Sequence, residues 1–139
     1  MMKKLLSLIV LLSMSYSSSS MAASSSGNQI AFEFGQPRCL FSGLKACAPV
    51  TLAAGLSLEV QIKNTSAINV SNILAYLPST GTPWSQIVIT YSGCGTVLPQ
   101  GICTITFDGT NITSSANPST VTILGEGTNT LTFLLGISG

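Results

Sequence analysis

The chain has 139 residues, of which only 6% are charged, with five basic and four acidic side chains and no histidine. Its length suits one domain. The composition excludes a basic patch for phosphates, catalytic triads or dyads that need histidine and a long-range steering field, and it leaves Ser, Thr, Asn and Gly to cover the surface.

Residues 1–22 carry the three-part pattern of a secretory signal peptide. Lys3 and Lys4 precede an apolar run over 5–12 that only Ser7 interrupts. A serine-rich region then leads to Ser20-Met21-Ala22, with small residues at −3 and −1 of a cut after Ala22. The run is shorter than the roughly 20 residues that cross a bilayer, which disfavours the alternative of a retained anchor. No cysteine follows it, so a lipid anchor is disfavoured too. No later segment reads as a membrane helix, so no membrane span remains after signal removal. Cleavage leaves Arg38, Lys45 and Lys63 against Glu33, Glu59, Asp108 and Glu126, one net negative charge.

Residues 23–29 form a Ser-rich leader, expected to be flexible, and 30–139 the folded domain. Ile30, Phe32 and Phe34 alternate with Ala31 and Glu33, the period of a strand, and Gly35-Gln36-Pro37 stops it. Cys39 and Cys47 bracket a turn at Ser42-Gly43. The cleanest strand is 56–63, with Leu56, Leu58, Val60 and Ile62 toward the core and Ser57, Glu59, Gln61 and Lys63 toward water. Asn64-Thr65-Ser66 turns the chain. Ile68 and Val70 begin another strand, whose inward phase moves to Ile73, Ala75 and Leu77; the shift predicts a bulge at Ser71-Asn72. Residues 78–83 read as a loop, and Trp84 as packing against core or edge rather than as a ligand platform.

Residues 86–107 read strand, turn, strand. Ile87, Ile89 and Tyr91 share one phase, as do Cys103, Ile105 and Phe107. Between them lie the turn residues Ser92, Gly93, Gly95, Pro99 and Gly101. Asp108-Gly109 turns the chain, 111–118 is a polar loop, 121–124 a short strand and 125–127 a tight turn. The last strand is 129–137, with Leu131, Phe133, Leu135 and Ile137 on one face. Seven or eight strands with regular turn signals predict an all-β, antiparallel β-sandwich; a small barrel is the alternative closure.

Four cysteines in a short exported chain point to disulfides. Locality favours Cys39 with Cys47 and Cys94 with Cys103, since each pair flanks turn residues, and the other two connectivities stay open. A zinc site made of these four cysteines, without a CxxC, is the lesser alternative.

Residues 94–107, Cys-Gly-Thr-Val-Leu-Pro-Gln-Gly-Ile-Cys-Thr-Ile-Thr-Phe, resemble the pattern C-x(3)-L-x-P-x(3)-C-T-I-x-F, departing from it in that Pro99 follows Leu98 directly. Upstream stand Leu52-Ala53-Ala54-Gly55, then Val60-Gln61-Ile62-Lys63-Asn64-Thr65-Ser66 and Val70-Ser71-Asn72-Ile73. Over 49–107 the chain resembles bacterial secreted immunoglobulin-like domains. The resemblance implies an immunoglobulin-like sandwich and a Cys94–Cys103 bridge, and it does not extend to Cys39 and Cys47. Those modules often stand as repeats, whereas this chain has one domain.

The residue inventory offers little for catalysis or for a cofactor. No nucleophile elbow and no phosphate loop appears. A glycosidase needs two facing carboxylates, but Glu59 falls on a solvent face and Asp108 and Glu126 fall in turns. Residues 108–111 offer oxygens to calcium with one acid, too few for a firm site, so they read as a turn. Asn64, Asn69 and Asn111 each begin a glycosylation sequon and read as solvated turns and strand ends. No catalytic, cofactor or metal residue is therefore assigned. The sequence describes a non-catalytic, secreted or periplasmic module, structural or binding, meeting an unidentified protein or glycan at the bacterial envelope and no nucleic acid. The alternatives are a fimbria-like subunit that assembles by strand exchange and, more remotely, a small secreted hydrolase.

Overall fold

The computed structural model describes residues 28–33 and 49–139. The expected signal peptide, most of the expected leader, Phe34, and Cys39 and Cys47 with the bridge expected between them lie outside the described residues.

The strands are β1 (Ile30–Phe32), β2 (Val50–Ala53), β3 (Ser57–Asn64), β4 (Val70–Ser71), β5 (Leu74–Tyr76), β6 (Val88–Ser92), β7 (Thr96–Val97), β8 (Ile102–Asp108), β9 (Ala116–Leu124) and β10 (Leu131–Ser138). Two four-stranded sheets, β1-β3-β8-β6 and β2-β10-β9-β5, make the sandwich, and β4 with β7 adds a short ribbon. The expected seven or eight strands match the eight of the main sheets. Of the two ribbon strands, β4 falls in the strand expected to begin at Ile68 and Val70, while β7 is too short for its alternation to be read from sequence. One pairing departs from the expected antiparallel pattern: β2 runs parallel to β10. Among the described residues the only helical element is a 3-10 turn, Trp84–Gln86, and no helix is long and apolar enough to cross a membrane.

The two inner faces meet through the alternating residues. Val60, Ile62, Cys103, Ile105 and Phe107 from one sheet and Val121, Ile123, Phe133, Leu135 and Ile137 from the other are buried. Phe133 meets Phe107 edge to face at 5.8 Å and Phe32 at 6.3 Å, the arrangement that aromatic quadrupoles favour. Full burial of each large aliphatic side chain contributes about 1.5–3 kcal/mol. Trp84 is buried, as its core reading required.

Three expectations about the first half of the domain are corrected. Leu56 is 62% exposed because it precedes the first paired row, Ser57 with Asp108, and its carbonyl is held in a turn by Gly109 N–H at 2.8 Å. A Cβ on Gly109 would stand 2.9 Å from the carbonyl oxygens of Ala53 and Leu56, so only glycine lets the two turns approach. Ile68 is also exposed, outside β4. Ser71-Asn72 is not a bulge within one strand: Asn72, at φ 52°, carries the chain from the β4-β7 ribbon to β5 of the second sheet. The new inward phase at Ile73 and Ala75 stands, both being buried.

The polar loop expected over 111–118 ends early, since β9 already begins at Ala116. The register slips between Leu135, opposite Ser119, and Ile137, opposite Ala116, leaving one extra residue on β9. Pro118 sits in that bulge, where its missing N–H costs no ladder bond. Across from it, a Cβ on Gly136 would come within 3.3 Å of the Pro118 ring.

The expected leader reaches the body at its end. Asn28 bridges Thr128, and Gln29 accepts from Thr65 N–H at 3.0 Å. Asn129 then acts as a short strand partner for β1: Ile30 N–H donates to Oδ1 at 2.8 Å and Nδ2 donates to the Ile30 carbonyl at 3.0 Å. This closes one lateral seam between the sheets, and Tyr91 against Ala75 closes the other.

Candidate functional site

The Cys94–Cys103 hairpin is closed by a disulfide with Cα atoms 4.8 Å apart. β6 and β8 pair from Val88 with Asp108 to Ser92 with Thr104. Gly93, at φ 71°, turns the chain out of β6 and sets Cys94 beneath the surface. Both cysteines are buried, at 4% and 0% exposure. The bridge also organises the crossing between sheets: Ile73 N–H donates to the Cys94 carbonyl and Asn72 N–H to that of Gly95, each at 3.0 Å. It is thus a clamp inside the sandwich, without the exposure a reactive sulfur needs.

The return from β7 to β8 is the turn at 98–101, with Pro99 second, Gln100 third at φ 65° and Gly101 N–H bonding the Leu98 carbonyl at 2.8 Å, the pattern of a type II turn. It hangs on Asn64. Gln100 N–H donates to the Asn64 carbonyl at 2.8 Å and Asn64 N–H to the Gly101 carbonyl at 3.0 Å. The Asn64 side chain is fully buried; its Nδ2 donates to the carbonyls of Ile68 and Val97 at 2.8 and 2.9 Å, and its Oδ1 accepts from the N–H and the hydroxyl of Ser66. The reading of Asn64 as a solvated sequon is therefore corrected. Its signal was present in the sequence, since Asn64 continues the inward phase of Leu58, Val60 and Ile62.

The carboxylates are dispersed. Glu33 lies 3.9 Å from Lys63, both partly exposed. Glu59 is exposed on the outward side of β3. Asp108 Oδ1 accepts from the Thr110 hydroxyl at 2.6 Å and Thr110 N–H at 2.8 Å. Those two bonds, the hydroxyl first, hold the Asp108 carboxyl below the ordinary aspartate range. Glu126, in the β9-β10 turn, accepts from Asn72 Nδ2. Among the described residues no three acids or cysteines come together around a metal position.

The two outer faces differ sharply in charge. Glu33, Glu59, Lys63 and Asp108 all belong to the β1-β3-β8-β6 side. The outward residues of β2-β10-β9-β5 include no charged side chain. On that face Tyr76, Thr122 and Thr132 form one cross-strand row and Thr120 and Leu134 a second. Thr51 and Gly136 form a third, with Pro118 against Gly136. The missing side chain at Gly136 leaves an open depression of about 520 Å³ lined by Thr51, Ser115, Asn117 and Pro118 among others.

No protein-family model matches the chain, and no curated protein matches it. Its structure is similar to that of domains 4 and 5 of the S-layer protein SbsC, at 17% identity and a TM-score of 0.50, over 79% of this chain and 51% of that one. It also aligns with the Pseudomonas aeruginosa CupB2 chaperone, at 16% identity and a TM-score of 0.44, over 65% of this chain and 52% of that one. A third alignment is to the secreted serine protease VesC from Vibrio cholerae, at 13% identity and a TM-score of 0.43, over 79% of this chain and 23% of that one. This chain thus spans about half the length of the S-layer structure, 51%, and what the two share is the β-domain fold.

Proposed function

We propose that the chain is a non-catalytic, exported binding or structural module of the bacterial envelope or medium. The observation that carries this reading is the buried Cys94–Cys103 bridge, which closes the β6-β8 hairpin. Structural disulfides persist in oxidising compartments outside the cytosol. The signal-like residues 1–22 and the resemblance of 49–107 to bacterial secreted immunoglobulin-like domains support the same reading. Scattered, singly placed acids support a scaffold over a reaction centre.

The strand-exchange subunit has less support. Such a subunit needs an open sheet position, whereas β10 pairs with both β9 and β2. Binding then falls to loops or outer faces.

The test is expression of the full chain in a bacterium with fractionation. The expected product is a chain that starts at Ala23, in periplasm or medium, with Cys94 joined to Cys103 and eluting as a monomer. Uncleaved chain held in the cytosol with reduced cysteines would overturn the reading. A polymer ladder on size exclusion would favour the assembling subunit.

A further inference from the structure

The uncharged outer face of the β2-β10-β9-β5 sheet has a character that the scaffold does not require. We infer that it binds a neutral, polyhydroxylated chain, that is, an uncharged glycan. The inference rests on the reading of the protein as an exported binding module.

Three features converge. First, charge is segregated: every strand-borne charge of the described residues lies on the other sheet. A partner carrying phosphate, carboxylate or ammonium groups would find no counter-charge here, and desolvating it would be uncompensated. Second, Tyr76 presents a ring that is 52% exposed, beside the hydroxyls of Thr122 and Thr132 in the same row. A flat apolar ring edged by hydroxyls matches a sugar, whose two sides are C–H and whose rim is O–H. Third, the depression at Gly136 lies on the same face. There Thr51, Asn117 and Pro118 line the hollow together, so a hydroxyl and an amide offer both donors and acceptors in the same depression as an apolar ring. Adjacent strands stand about 4.8 Å apart, so ring, hydroxyl rows and depression lie along one surface suited to an extended chain.

A second copy of the protein fits this face less well. Its exposed large apolar side chains are Leu74, Tyr76 and Leu134, at 40%, 52% and 37%; Leu74 and Tyr76 adjoin on β5, and the row of Thr122 and Thr132 sets Leu134 apart from them. A stable protein interface needs roughly 800 Å² per partner around an apolar core. Three half-exposed side chains fall short of that core.

The experiment is native gel electrophoresis of the oxidised full chain through gels containing hydroxyethylcellulose, dextran, galactomannan or glycol chitin, with alginate as the anionic comparison. Mobility is normalised to a polymer-free gel. The expected result is retardation by at least one neutral polymer. Tyr76→Ala weakens it about fivefold or more, as the loss of one stacking contact implies, and Tyr76→Phe retains it. Leu134→Glu, which places a charge in the neutral face, abolishes it, and Glu59→Gln on the opposite sheet leaves it unchanged. Thermal melts show that each variant folds. The inference is overturned if no neutral polymer retards the chain, if alginate alone does, or if the Tyr76 and Leu134 variants behave as the parent. It is also overturned if sedimentation finds a dimer that Leu134→Glu dissociates, since the face is then a contact between copies. Correct export with no retardation sinks this inference alone; failure of export sinks the broader reading.

Discussion

The Tyr91 hydroxyl bonds both backbone groups of Ala75, accepting from its N–H at 3.1 Å and donating to its carbonyl at 3.4 Å. Tyr91 is on β6, an edge of one sheet, and Ala75 on β5, an edge of the other. A side chain on one sheet thereby occupies edge groups of its neighbour, which would otherwise invite another strand. Asn129 does the same for Ile30 at the opposite seam. Two edge strands are therefore engaged from within the fold in a protein whose low charge gives little protection against self-association.

Replacing Tyr91 by Phe removes those bonds and keeps the ring. The expected loss is about 0.5–1.5 kcal/mol, a fall in Tm of several degrees for a domain of this size. Light scattering near the transition should rise as the β5 edge becomes available. An unchanged Tm together with unchanged scattering would show that the hydroxyl contributes nothing to the seam.

At the other seam, Asn129→Ala should loosen β1 selectively. Ile30 is held by β3 on one side and by the Asn129 amide on the other. Loss of the second partner should raise the hydrogen-exchange rate of Ile30 by about tenfold or more, for about 1.4 kcal/mol of local opening. Ile105, at the sheet centre and opposite Val60, should exchange as before. Equal acceleration at both positions would mean that Asn129 supports the whole fold rather than one edge.

Asn64 gives the largest single-residue effect expected here. Its amide satisfies the Val97 carbonyl in a buried bond and the Ile68 carbonyl in a part-buried one, and it holds the Ser66 turn. Asn64→Leu keeps the approximate volume and orphans those groups, each at about 1–3 kcal/mol. The chemical denaturation midpoint should fall markedly, with β-sheet circular dichroism retained below it. A midpoint within error of the parent would show that the 64–68 and 98–101 turns hold without the amide.

How legible the molecule was depends on the length of each pattern. β3, β8 and β10 alternate over seven or eight residues, so period two assigned both strand and inward face. The same rule, carried one residue further, puts Asn64 inside, but a polar side chain at a strand end resembles a turn until its partners are known. The seam contacts pair residues 16 and 99 positions apart, so no local pattern encodes them. Pro118 hid the true start of β9, because proline usually breaks a strand, and only the bulge opposite Gly136 accommodates it. The neutral outer face was visible in sequence as missing charge, but its contrast with the other face required the strand order.

The acid limb of stability should contain a contribution from Asp108. Its folded pKa lies below the ordinary aspartate value, through the Thr110 hydroxyl first and the Thr110 N–H second. A lowered folded pKa contributes stability above the unfolded pKa, and that contribution is lost as pH falls through the folded value. Thr110→Val removes the leading cause, so the Asp108 carboxyl should titrate at higher pH by NMR and the acid limb should move the same way. A titration curve identical to the parent would assign the shift to the backbone bond alone.

The double variant Cys94→Ala, Cys103→Ala tests the clamp itself. The two cysteines are nine positions apart in sequence (separation 9), and closing a loop of about ten residues stabilises by roughly 2.5–3 kcal/mol in the chain-entropy account. A domain of this kind is stable by about 5–15 kcal/mol in total, so the variant should lose a large fraction and still fold. Alanine avoids placing a hydroxyl at position 103, which is fully buried. The loss should appear mainly as a lower denaturation midpoint. Hydrogen exchange should also increase at Ile73 and Asn72, whose N–H groups bond the carbonyls of Cys94 and Gly95. If reducing agent lowers the parent's midpoint to that of the variant, the bridge accounts for the whole difference. If the variant matches the oxidised parent, the hairpin is held by the β6-β8 ladder alone, and the role of the disulfide as its clamp is refuted.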